Sequence, residues 1–119
     1  MSYFLIIKTG GSIDTREFPA RLLERWPMAL LEEVRNPKIS DSLEFELPMR
    51  LTLYGALDRQ GRGVTFHGGL QDSAEFAHWC RSLIASSEEV VFCDESMGLN
   101  FVLEPDTSPA DIAQSMRSS

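Results

Sequence analysis

Residues 43–54, LEFELPMRLTLY, constrain the fold more than any other stretch of the chain. Leu43, Phe45, Leu47, Met49, Leu51 and Leu53 hold the odd positions, and Glu44, Glu46, Pro48, Arg50, Thr52 and Tyr54 the even ones. Side chains alternate between the two faces of a strand, so this unbroken period of two predicts a long strand with one buried face. Pro48 has no backbone donor for a ladder, which predicts an edge, a bulge or a break at that point. A long edge strand offers unpaired backbone groups to another chain. One expectation is therefore a structural subunit that forms a homodimer by pairing through 43–54.

Around that stretch the pattern alternates between strand and helix. YFLIIK, 3–8, is short, apolar and β-branched, and Gly10 and Gly11 stop it, as expected of a buried strand. Phe18, Leu22 and Trp26 recur every four residues on one helical face. Pro19 suits the first helical position, and Pro27 closes the helix. MALLEEV, 28–34, is rich in helix formers and points to a second short helix. NPKISDS, 36–42, is a loop, DRQGRG, 58–63, a hairpin turn, and VTFHG, 64–68, the returning strand. Asp72 followed by Glu75 forms a capping-box pair that predicts a helix from 72 to about 85, with Phe76, Cys80, Leu83 and Ile84 on its apolar stripe. EVVFCD, 89–94, and LNFVLE, 99–104, read as a hairpin. Ser108, Pro109 and Asp111 open a last helix. Two hairpins and few crossovers predict an α+β fold: an antiparallel or mixed sheet of about five strands, with helices mainly on one face. The 119 residues fit one domain, 1–119.

Charge narrows the function classes. The net charge is −7. Residues 1–69 hold nine acids and nine bases, whereas residues 70–119 hold nine acids and only Arg81 and Arg117. Phosphate backbones are repelled by such a surface, which argues against nucleic acid. The opening apolar run is too short for a signal peptide or a membrane span, so a cytoplasmic protein without membrane contact is expected. Cys80 and Cys93 are then free thiols.

Four constellations could carry chemistry. TGGSI, 9–13, after an apolar strand resembles the Thr-Gly-Gly-Thr-Ile loop of bacterial-type L-asparaginases. FHGGLQDS, 66–73, resembles that family's His-Gly-Thr-Asp-Thr motif. The resemblance spans about a dozen residues and implies Thr9 as a nucleophile. It departs where Gly69 and Leu70 replace the Thr-Asp pair, and Lys8 and Lys38 are the only lysines in the chain. Cys93 is a second candidate nucleophile with His67 as its base, but acids surround it and raise a thiol's pKa. His67, His78, Cys80 and Cys93 have the right donors for zinc but no ligand spacing, so no metal or cofactor is expected. D-E-S-M-G-L-N, from 94, has no glycine at the sixth place of a calcium loop and carries Pro105 where the loop's twelfth-place glutamate belongs.

What remains is recognition. Glu88, Glu89, Asp94, Glu95, Glu104 and Asp106 flank one predicted hairpin, with no base between Arg81 and Arg117. A concentrated negative field steers a basic protein toward it. The leading expectation is a small protein-binding or regulatory module, of the class that includes toxin-neutralising immunity proteins, meeting a basic partner through its acidic C-terminal half. The alternatives are a small hydrolase using Thr9 or Cys93 with His67, and the self-pairing subunit above.

Overall fold

The computed structural model describes residues 2–96, 98 and 100–117. Met97 and Leu99, in the turn expected between the last two strands, lie outside the described residues. Among the described residues the chain forms β1 (Ser2–Ile7), α1 (Phe18–Arg25), β2 (Leu30–Glu33), β3 (Asp41–Pro48), β4 (Thr52–Asp58), β5 (Gly63–His67), α2 (Leu70–Ser82), β6 (Val90–Asp94), β7 (Asn100–Val102) and α3 (Pro109–Arg117). The strands make one sheet in the order β2-β3-β4-β5-β1-β6-β7. Every neighbouring pair is antiparallel. The α+β class and the antiparallel sheet stand as expected, with seven strands in place of about five.

Both additional strands come from misread segments. MALLEEV is not a helix: residues 30–33 form β2, the edge strand beside β3. Tertiary pairing outweighs helix propensity there, because Leu31 packs against the core while Leu30 faces outward. The stretch 43–54 is not one strand either. It folds back as the β3–β4 hairpin around Met49–Leu51. Leu47 pairs with Leu53 and Phe45 with Gly55. Partners in this register are separated by an even number of residues, and opposite residues share a face. Odd positions therefore point to the core in both strands, and the alternation lapses in the turn itself, where Leu51 is exposed. Since β3 is flanked by β2 and β4, it has no free edge for self-pairing. The sheet's edges are β2, with Glu32 and Glu33, and the three-residue β7, both of which discourage extension.

The turn between β3 and β4 contains neither glycine nor asparagine, and a buried acid holds it. Asp72 is 2% exposed. Its Oδ2 accepts from the Leu51 amide at 3.0 Å and its Oδ1 from the Arg50 guanidinium at 2.9 Å. Arg50 also pairs with Glu75 at 2.8 Å. Asp72 is thus not the N-cap expected of it. Gly69 takes that position, and α2 starts at Leu70.

Inward residues of the strands meet the helices in an aromatic core. Phe76 of α2 lies 4.9 Å from Phe66, 5.3 Å from Phe45 and 5.9 Å from Trp26, centroid to centroid. Phe18 of α1 lies 5.7 Å from both Phe45 and Trp79. Arg81, 2% exposed, closes the C-terminal end of α2. Its guanidinium donates to the carbonyls of Ile84, Ala85, Ser86, Glu88 and Leu103. Five carbonyl dipoles, near the negative end of a helix, replace the carboxylate that a buried cation usually needs. At α3, Ser108 Oγ accepts from the Asp111 amide at 3.1 Å, as its sequence predicts.

Candidate functional site

The opposite face of the sheet is open along β2–β5. Inward positions such as Leu5, Leu47, Leu53, Leu57 and Phe92 are buried, whereas their outward neighbours Glu44, Glu46, Tyr54, Thr65 and His67 are exposed. Across that face the register sets Leu30 beside Glu46, Glu46 beside Tyr54, and Tyr54 beside His67. One step along the strands, Glu32 stands opposite Glu44, Glu44 opposite Ala56, and Ala56 opposite Thr65. Together they line a groove of about 630 Å³, which also takes in Asp41. A smaller continuation of about 320 Å³ shares Asp41 and Thr65 and runs on past Phe4 and Ile6 toward Arg62.

Two features mark this face. Leu30 is 65% exposed and Tyr54 50%, and Met28 and Leu51, also exposed, sit at the same end of the sheet. Large apolar side chains gathered at one corner suggest a contact surface more than scattered ones do. The second feature is charge. Among the described residues no strand contains a lysine or an arginine, while β2 and β3 carry Glu32, Glu44 and Glu46 outward. None of these three acids forms an ion pair among the described residues. Directly opposed like charges such as Glu32 and Glu44 destabilise a sheet.

The candidates named from sequence fall elsewhere. Glu88, Glu89, Glu104 and Asp106 gather at the start of β6 and the end of β7, as the bond from the Leu103 amide to the Val90 carbonyl requires. Asp94 and Glu95 lie at the far end of β6, about 17 Å away at the strand rise. The six acids therefore form two groups, not one patch. Glu88 is also engaged in structure: it accepts a hydrogen bond from the Thr9 hydroxyl, and Thr9 Oγ1 accepts from the Glu89 amide at 2.9 Å. The Lys8 amide adds a bond to the Glu89 carbonyl at 2.8 Å. Gly10, at φ +90°, supplies the reversal this clasp needs. TGGS is thus a turn that ties β1 to β6.

Thr9, His67 and Cys93 do not converge. His67 pairs with Ser2 at the opposite end of β1 from Thr9. Ser2 Oγ and His67 Nδ1 lie 3.2 Å apart, and no hydrogen bond among the described residues joins the ring to a carboxylate. Cys93 pairs with Phe4, one strand further across and off the His67 row. Its thiol is 1% exposed and donates to the Phe4 carbonyl. Burial pushes its pKa up and Asp94 adds to the rise, so the thiolate is disfavoured. Cys80 is core, its pKa pushed well up by burial. His78 lies on the surface of α2, with Nδ1 donating to the Thr107 carbonyl at 2.9 Å. Among the described residues no group of three His, Cys, Asp or Glu side chains could hold a metal ion, and no helix is long and apolar enough to cross a membrane.

Sequence reasoning overlooked the groove because it summed charge along the chain. The acids of β2 and β3 are cancelled in that sum by bases that fold into turns and into α1. A trace of the signal was present: Glu44 and Glu46 fill the polar half of the clearest strand pattern. No protein-family model, curated protein or solved structure matches the chain.

Proposed function

We propose that the protein is a binding module that recognises a basic protein partner on the open face of its sheet. The observation that carries this reading is the groove along β2–β5, where exposed Leu30 and Tyr54 adjoin Glu32, Glu44 and Glu46 and, among the described residues, no strand holds a lysine or arginine. Apolar anchors with a charged rim are the usual anatomy of a protein interface. The two acidic groups around β6 and β7 act at longer range, raising the encounter rate with a positive surface. A toxin-neutralising immunity protein that masks a basic toxin is one member of this class.

The test is a photo-crosslinking amino acid placed at Tyr54, and in a control protein at Glu95, followed by mass spectrometry from native cells. Crosslinks to one basic protein from position 54 support the reading when they disappear in the E32K/E44K/E46K variant and in high salt. Crosslinks that persist in the reversed variant, or that form from position 95 alone, overturn it.

A further inference from the structure

We infer that the groove is an arginine socket: a segment of the partner protein inserts one guanidinium into the hollow above Ala56. This rests on the open-face reading and adds the chemistry of the anchor. Ala56 carries the smallest outward side chain among the residues that line the groove. Glu44 stands directly across from it on β3 and Thr65 on β5. Tyr54 precedes it on the same face, and Glu46 faces Tyr54. Directly opposed side chains begin about 5 Å apart and same-face neighbours along a strand about 7 Å apart. A hollow of that size, with a methyl floor, one aromatic wall and two carboxylates on one side, suits a flat cation more than an aliphatic side chain.

Three physical arguments select arginine. Its planar fork can bond two carboxylates at once, as Glu44 and Glu46 offer, whereas an ammonium is a point charge. The guanidinium stacks on an aromatic face, and Tyr54 presents one, half exposed. Arginine is also more weakly hydrated than lysine, which lowers the penalty for entering a partly apolar hollow. The unpartnered Glu32–Glu44 opposition supplies the charge complement, because a cation bound there removes a repulsion within the sheet.

The probe is a random twelve-residue peptide library displayed on phage, selected on immobilised wild-type protein at low salt and depleted on A56W protein. Tryptophan at 56 fills the hollow from the solvent side and leaves the core untouched. The enriched peptides are then synthesised with arginine, lysine or citrulline at the shared position. Expected are peptides with a common arginine whose replacement by citrulline weakens binding about tenfold or more, with lysine intermediate. A56W and E44Q/E46Q should each weaken binding by a similar factor at unchanged denaturation midpoints, and E44Q/E46Q decides the matter should A56W misfold. Peptides without arginine, arginine peptides that bind A56W as well as wild type, or no enrichment overturn the socket. A wild-type dimer in sedimentation that A56W dissociates also overturns it, since a second copy would then be the occupant. If crosslinks from position 54 form but binding is indifferent to arginine, the anchor fails alone. If those crosslinks are absent, the open-face reading fails with it.

Discussion

Replacing Asp72 with asparagine separates two roles that the same residue could play in this fold. A helix N-cap tolerates the change, because asparagine and aspartate cap about equally well. A pin for the β3–β4 turn does not. Asp72 uses both oxygens: Oδ2 takes the Leu51 amide, and Oδ1 takes the Arg50 guanidinium and, at 3.4 Å, the Arg50 amide. Asparagine keeps one acceptor and turns an NH2 group toward the second set of donors. A hydrogen bond to a charged group contributes about 1.5–3 kcal/mol. The Arg50 side chain is 62% exposed, so solvent screens most of the ion pair's share. D72N should therefore cost about 2 kcal/mol, and D72A about 3 kcal/mol, by loss of the amide bond and part of the ion pair. With a urea m value of roughly 1.5 kcal/mol per M, the D72N midpoint falls by about 1 M or more. Amide exchange at Leu51 should quicken in both variants. A D72N midpoint within about 0.2 M of wild type, with only D72A destabilised, would refute the pin and restore the cap.

Further perturbations probe the other joints. R81M removes a cation bonded to five carbonyls and should cost about 3–5 kcal/mol, with exchange of the 84–89 amides accelerating most; a stable variant with a normal exchange pattern would show that the clamp is redundant. T9V removes the hydroxyl that bridges Glu88 and the Glu89 amide, and should cost about 1–2 kcal/mol by thermal melting. F76A should cost about 3 kcal/mol or more in denaturant titration, since its ring contacts Phe45, Phe66, Trp26 and Trp79. Both thiols have pKa values raised by burial, so the folded state holds their protons longer than the unfolded chain does. Their contribution to stability is complete below the ordinary thiol pKa of about 8.5 and declines as pH rises above it. The C80A/C93A variant should show a shallower alkaline decline in urea midpoint, and an identical slope in both proteins would refute the assignment.

Local signals in the chain were enough for β1, α1, α3 and the last hairpin, and for the existence of α2 though not for its cap. Each rests on neighbours in sequence: Pro19 at the start of α1, the i, i+4 spacing of Phe18 and Leu22, and Ser108 before Pro109. The binary pattern of 43–54 correctly assigned which side chains of the two strands enter the core, because that assignment depends only on parity; it failed at Leu51, which the turn leaves exposed. It could not reveal the fold-back. An even register gives a hairpin and a continuous strand the same alternation, and the signal for the turn is a carboxylate two elements away at Asp72. For β2 the deciding term was pairing with β3, which no propensity within MALLEEV encodes. Charge behaved in the same way. Composition supplied the sign of the surface and the size of its excess, but an electrostatic field adds over distance in space and not along the chain. Only the sheet register sets Glu32 against Glu44, and only the folding of the bases into turns and helix leaves those carboxylates without an ion pair among the described residues, beside Tyr54 and Ala56.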